Sequence, residues 1–340
     1  MTNTSLQPDL QAWLRALPKA EVHVHLEGCF EADTLEKWAL EANVAMPRPK
    51  EQLFEFRALT DFLEFLDWAS SLAASQTRVA ELAYQFAQRL ARDGTLYADA
   101  IINPTHWHAW KGRTRALIDA LDAGFQEAEQ DGLPPVGLCV SLLRTQTAAE
   151  AVGLVDALVD WRHPRIVALS VDGNEATAGR TGPRFVDAFA RAGRAGFKRT
   201  VHAGESSGAE GVRDAIELLG ADRIDHGVRV IEDDAVLQLV IDRQIPLGVC
   251  PSSNLALRVY PTLADHPVER LRLAGVRVSL NTDDPSLLGT DLPSEYALVA
   301  KHFGWNKAIL HATARHSIEA CFANDDVKSG LLGRLAQFSD

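Results

Sequence analysis

Residues 199–250 read RTVHAGESSGAEGVRDAIELLGADRIDHGVRVIEDDAVLQLVIDRQIPLGVC. Three runs within it, Arg199 to His202, Arg223 to His226 and Pro246 to Cys250, are apolar, β-branched in part and of strand length. Between them, Gly211 to Leu219 and Asp234 to Arg243 carry apolar residues at helical spacing. Strand, helix, strand, helix, strand with short connections predicts parallel strands joined by right-handed crossovers, because a crossover is what brings two neighbouring strands into the same direction.

The same alternation continues on both sides. Upstream, Glu21 to Leu26, Leu96 to Ile102, Val136 to Leu143 and Ile166 to Val171 read as strands, and downstream so does Val276 to Leu280. Arg115 to Gln130, Ala149 to Trp161, Arg184 to Ala195 and Pro267 to Ala274 read as the intervening helices. Eight strands in one chain point to an α/β fold of the (β/α)8 TIM-barrel type, with an open doubly wound sheet as the alternative. Residues 27–95 are too long for one crossover and contain helical patterns over Asp33 to Ala42 and Thr60 to Ser71, which predicts extra helices inserted after the first strand, over the barrel mouth. No linker, repeat or shift of composition divides the chain, so residues 1–340 are expected to form a single domain.

Composition narrows the function classes. With 46% hydrophobic and 24% charged residues, 340 residues suffice for a large core, which excludes disorder as the main state. Forty-six acidic against thirty-four basic residues give a net charge of -12, so a nucleic acid polymer is an unsuitable partner. Cys29, Cys139, Cys250 and Cys321 are too scattered for a disulfide framework and fit a reducing cytoplasm. The first twenty residues lack the apolar stretch of a signal peptide, and no later run reaches the roughly 18 apolar residues of a membrane span.

In a barrel the reactive groups stand where strands end. The first strand reads Val22-His23-Val24-His25-Leu26, and alternation sends both imidazoles to one face. The fifth ends in His202-Ala203-Gly204-Glu205, the sixth in Asp225-His226-Gly227 and the eighth in Asn281-Thr282-Asp283-Asp284-Pro285. His23, His25, His202 and Asp283 make an N3O donor set suited to one Zn²⁺ with an open position, leaving Glu205, His226 and Asp284 around it. The Asp-Asp pair reads equally as helix-capping chemistry. His106, His108, His163, His266, His302, His311 and His316 are taken as surface or packing residues. Ile166 to Glu175 holds no lysine to bridge two metals, which favours a mononuclear site. Cys250 has no partner thiol for the zinc site of cytidine deaminases, and no phosphate-binding glycine loop is present.

The chain resembles the adenosine deaminase family over nearly its whole length. The resemblance is carried by Pro18-Lys19-Ala20-Glu21-Val22-His23-Val24-His25-Leu26-Glu27-Gly28, His202-Ala203-Gly204-Glu205, Asp225-His226-Gly227, Cys250-Pro251-Ser252-Ser253-Asn254 and Asn281-Thr282-Asp283-Asp284-Pro285. It implies a purine aminohydrolase in which His23, His25, His202 and Asp283 hold zinc, Glu205 protonates purine N1 and His226 serves the attacking water. It further implies that Asp284 contacts N7, the Gly173 N–H contacts N3, and Phe62, Leu63 and Leu66 form an apolar gate. By the residues alone these last three read equally as core packing.

Two departures from the family pattern stand out. Ser170-Val171-Asp172 precedes Gly173 where many relatives carry aspartate three residues before the glycine, and Glu27 replaces the aspartate usual in adenosine-specific members. Glutamate there matches adenine-type members, but Leu255-Ala256-Leu257 lacks the lysine those members carry. On that last difference the expected substrate is adenosine or 2'-deoxyadenosine, with adenine as the alternative and a non-catalytic nucleoside-binding barrel behind both.

Overall fold

The computed structural model describes residues 8–56 and 59–338. Eight strands, β1 (Lys19–His25), β2 (Thr95–Ile102), β3 (Val136–Leu143), β4 (Ile166–Asp172), β5 (Lys198–Ala203), β6 (Arg223–His226), β7 (Leu247–Val249) and β8 (Val278–Leu280), pair in parallel and in chain order. The ends of that sheet meet. Val24 bridges to Asp283, His25 N–H donates to Asp283 O at 2.8 Å and Asp283 N–H donates to His23 O at 3.2 Å. The fold is therefore the (β/α)8 barrel, and the open sheet is set aside. Closure runs through the proposed metal ligands themselves, so sealing the barrel and assembling the site are one event.

The expected strands are all present, with ends displaced for local reasons. β1 begins two residues before the expected start at Glu21, at Lys19. Its ammonium is buried and donates to the carbonyls of Leu14, Leu17 and Asp93 at 2.9, 3.2 and 2.7 Å, which removes the cost of burying a charge without partners. β7 is shorter than Pro246 to Cys250 because Pro246 has no N–H to give the ladder and Cys250 already caps the helix Pro251–Ala256. β8 starts at Val278, since Val276 N–H closes the turn after the helix Val268–Leu273 on Leu271 O at 3.1 Å.

The insertion after β1 contains helices Ala32–Ala42 and Leu59–Leu72, as expected, and a third, Gln76–Arg92, capped by Ser75. Lys307–Ala320, beyond the elements read from sequence, packs on β1 and β8, and its Ser317 Oγ accepts from Ala20 N–H at 3.0 Å. Beneath the strand ends lies a fully buried ion network. Arg223 Nη1 donates to Asp99 Oδ2 at 2.6 Å, its Nε reaches Asp225 Oδ1 at 3.3 Å, and Phe322 presents its ring face to the guanidinium. Asp225 Oδ2 accepts from Thr200 Oγ1 at 2.7 Å and lies 3.7 Å from His202 Nδ1, so the network fixes the floor under that imidazole. All four cysteines are buried and unpaired. Among the described residues no helix is long and apolar enough to cross a membrane.

Candidate active site

The strand alternation that puts His23 and His25 on one face delivers both to the group at the end of β5. His202 Nε2 lies 3.1 Å from His23 Nε2 and 3.0 Å from His25 Nε2. Asp283 Oδ1 lies 3.3 Å from His23 Nε2 and 3.4 Å from His25 Nε2. Donors at the usual zinc distances around a tetrahedral centre are separated by about 3.3 Å, and these four separations lie close to that value. The tautomers fit as well. His23 Nδ1 donates to Gly248 O at 2.9 Å and His202 Nδ1 donates to Val171 O at 3.1 Å, which leaves each Nε2 with its lone pair facing the centre.

His226 also approaches this centre. Ligand atoms of His23, His202, His226 and Asp283 all lie within 4.8 Å of one another. His226 Nε2, however, stands 3.8 Å from the other carboxylate oxygen, Asp283 Oδ2, which already accepts from Ser253 Oγ at 2.6 Å. The same Nε2 is 3.5 Å from Glu205 Oε1, a buried atom with no hydrogen-bond partner. Both His226 and Asp283 have left-handed backbones, with φ of 67° and 65°, a strained conformation for residues with a side chain and one that clusters at functional sites.

The carboxyls around the centre are kept protonatable by their surroundings. Burial, reinforced by the charge of Asp283, pushes Glu205 up to about 8. Burial and Asp283 likewise push Asp284 up to about 7. Asp284 is the residue before the helix Pro285–Leu288, but its side chain makes no cap bond there, so the helix-capping reading of the pair is not realised. The backbone of Gly28 packs so tightly on Asp284 that a Cβ at position 28 would fall 2.2 Å from Asp284 Oδ1.

Glu27 is buried, and burial raises its pKa. Its Oε1 accepts from Asn103 N–H at 2.8 Å and Trp107 Nε1–H at 2.7 Å, while Oε2 is buried with no partner. Gly173, with φ of 96°, takes a backbone conformation open to glycine, and its carbonyl accepts from Arg144 Nε at 2.9 Å. Leu66 is half-buried and packed in the apolar cluster of Trp38, Phe65 and Trp107. The side chains of Phe62 and Leu63 lie outside the described residues.

Several groups that build the site escaped the sequence reading. Glu175 accepts from the N–H groups of Gly204, Glu205 and Ser207 at 3.0, 3.1 and 3.2 Å, and so fixes the loop carrying Glu205. Asn103 donates through Nδ2 to Asp172 Oδ1 at 2.5 Å besides supporting Glu27. It directly follows the run Leu96 to Ile102, so the strand-end rule applied there would have found it. His266, set among the packing residues, is buried in contact with Asn254. Ala256, whose failure to be lysine favoured adenosine, is exposed at the end of its helix and does not line an enclosed site.

A family model described as "Adenosine deaminase" matches residues 18–338. The chain is 34% identical over 320 residues to an adenine deaminase of Rhizobium etli, covering 94% of this chain and 99% of the relative. The crystal structure of an adenine deaminase from Arthrobacter aurescens matches with a TM-score of 0.87 at 28% identity, over 95% of this chain and 99% of that one. An amidohydrolase from Burkholderia ambifaria, solved with bound Zn, matches with a TM-score of 0.90 at 26% identity, over 99% and 94% of the two chains.

Proposed function

Because the chain belongs to the adenosine deaminase family, we propose that it hydrolyses the 6-amino group of free adenine, giving hypoxanthine and ammonia, with one Zn²⁺ held by His23, His25, His202 and Asp283. The choice of base over nucleoside reverses the order expected from sequence. It is supported by relatives named adenine deaminase and carried by one observation, the buried and unpartnered Oε2 of Glu27. Its other oxygen is tied by Asn103 and Trp107, so the carboxylate cannot swing away. A buried acceptor without a donor is costly. Adenine offers an N9–H to such an atom, whereas in adenosine N9 carries the ribose and has no hydrogen.

When bound, the zinc ion supplies a water made acidic enough to attack at neutral pH. The protein's own groups do the rest. Glu205, held neutral by burial, gives its proton to N1 as oxygen adds at C6, which relieves the negative charge that loss of aromaticity would place on the ring. Asp284, also inclined to hold a proton, donates to N7, and the N–H of Gly173 donates to N3. His226 faces the same point beside Glu205 and Asp283. The C6 carbon is then tetrahedral; the proton given up by the water passes to the amino group, the C6–N bond breaks as ammonia departs, the C6 hydroxyl returns its proton to Glu205 as the carbonyl forms, and the product keeps the proton on N1. The helix Leu59–Leu72, which carries the half-buried Leu66, acts as the gate. The setting is the cytoplasm, where unpaired buried cysteines persist, and the partner is a small purine.

An ammonia-release screen across adenine, adenosine, 2'-deoxyadenosine and N6-substituted adenines tests the reading. Adenine is expected to give the highest kcat/KM. A higher value for either nucleoside overturns the choice of substrate, and no release from any of them overturns the activity.

A further inference from the structure

His226 is the site histidine whose back nitrogen meets a side-chain amide. Its Nδ1 lies 3.3 Å from Asn254 Nδ2, Asn254 Oδ1 lies 3.0 Å from His266 Nε2, and His266 Nδ1 lies 3.2 Å from the backbone N–H of Val268. All three side chains are buried, which leaves water no part in deciding their protons. The direction of the chain follows from its last member. A backbone N–H can only donate, so His266 Nδ1 is an acceptor. Burial pushes His266 down to about 4, so the ring is neutral near pH 7 and its single proton is on Nε2. That proton needs an acceptor, which orients the Asn254 carbonyl toward His266 and its NH2 toward His226. An NH2 again only donates, so His226 Nδ1 must accept.

We infer that Asn254 and His266 are positioning residues that hold His226 as the Nε2-protonated tautomer and aim that N–H into the reaction centre. The contrast with its neighbours is direct. Backbone carbonyls behind His23 and His202 take a proton at Nδ1 and expose a lone pair at Nε2. The amide behind His226 does the opposite. A lone pair at Nε2 would make His226 a competing fifth metal ligand, given how near it stands to that group. With the proton there, it is a hydrogen-bond donor between Glu205 Oε1 and Asp283 Oδ2, where the attacking oxygen must pass. What that donor does in turnover rests on the deaminase reading above. The tautomer of resting enzyme involves no substrate, so failure of one is told apart from failure of the other.

The test is a long-range ¹H–¹⁵N spectrum of zinc-loaded enzyme labelled at histidine, with the His226 signals assigned by comparison with His226→Asn. Wild type is expected to carry the His226 proton on Nε2. In Asn254→Asp a carboxylate replaces the NH2 and must itself receive a hydrogen, so Nδ1 of His226 gains a proton. Deamination kcat in that variant falls by about tenfold or more while KM stays within about threefold, since the purine contacts are untouched. His266→Leu frees the amide to turn and loses part of kcat, and His266→Gln, which still has an N–H to donate to Asn254 Oδ1, restores it. A wild-type His226 protonated on Nδ1 overturns the inference without any variant having to fold. So does an Asn254→Asp enzyme with unchanged tautomer and unchanged kcat.

Discussion

The metal-facing and purine-facing sides of the barrel mouth differ in how far their polar atoms are paired. On the first, the back nitrogens of His23 and His202 donate to backbone carbonyls and Asp283 Oδ2 accepts from Ser253. On the second, Glu27 Oε2 and Glu205 Oε1 are buried with no partner. Protein interiors rarely leave such atoms unmatched. On the first side the groups behind His23, His202 and Asp283 are paired within the protein and built to hold a fixed geometry, while on the second the two carboxylate oxygens are paired only when a ligand brings hydrogens of its own.

The largest effect is expected where a completed group is removed. Asp283→Ala takes away the one anionic donor and, with it, the carboxylate that His23 and His25 face. Metal bound to purified protein is expected to fall from about one ion per chain to well below one. Because a bound metal supplies several kcal/mol of transition-state stabilisation, kcat/KM falls by more than roughly 10³-fold. Elemental analysis read beside turnover checks both. Full activity after exhaustive chelation of wild type would break the comparison at its first term.

Next comes Glu205→Gln, which leaves the metal side intact. Metal content is expected to stay at the wild-type level while kcat drops by roughly 10²-fold or more, because an amide has no proton to give N1. The pH dependence has a definite sign. Glu205 must be protonated to act, its pKa is raised to about 8, and so kcat is held below that value and lost as pH rises through it. Stopped assays from pH 6 to 9 on both proteins separate the cases, since the glutamine variant lacks this alkaline limb.

Legibility in the sequence follows the same divide. The barrel was readable because β-branched runs and helical periods alternate through the chain, and the convergence of His23, His25, His202 and Asp283 was readable because each lies in the last residues of a strand or just beyond one. The two-residue spacing of His23 and His25 already fixes their common face. Asn103, Glu175 and His266 were not read as site residues because each acts through a group distant in sequence. Asn103 serves Glu27, Glu175 serves the backbone after His202, and His266 serves His226 through Asn254. The partners in such pairings depend on how distant segments meet, which no local pattern encodes, although the place of Asn103 directly after a strand was itself readable. The strand start at Lys19 was unreadable for the same reason, since the burial of its charge is matched by carbonyls brought from Leu14 and Asp93.

A smaller effect, but a sharper one for substrate, is expected at Glu27. Removing its carboxylate in Glu27→Ala deprives adenine of one charge-assisted hydrogen bond and opens volume beside Trp107. The loss in kcat/KM for adenine is expected at about 1 to 3 kcal/mol, while adenosine activity rises because the ribose gains room. Parallel assays give the ratio of the two substrates before and after substitution. If adenine is unaffected and adenosine alone is weakened, Glu27 holds a ribose hydroxyl, and the unpaired oxygen belongs to nucleoside recognition.

The smallest effect is expected where sequence and structure gave opposite advice about the same choice. By the family resemblance Ala256 stands where adenine-type members would carry lysine, and that difference pointed toward the nucleoside. Ala256 is the last residue of the helix Pro251–Ala256 and is exposed, one residue before Leu257, itself 56% exposed. The residues of that helix that reach the site are Ser253 and Asn254, both buried and both engaged with site groups. A lysine at 256 extends into solvent, where substitutions generally change stability by no more than about 0.5 kcal/mol. Ala256→Lys is therefore expected to leave kcat/KM for adenine and for adenosine each within about twofold of wild type. A shift of the ratio toward adenine by tenfold or more would mean that position 256 reaches the bound purine after all, and the purine-facing side would then extend past the helix that bounds it here.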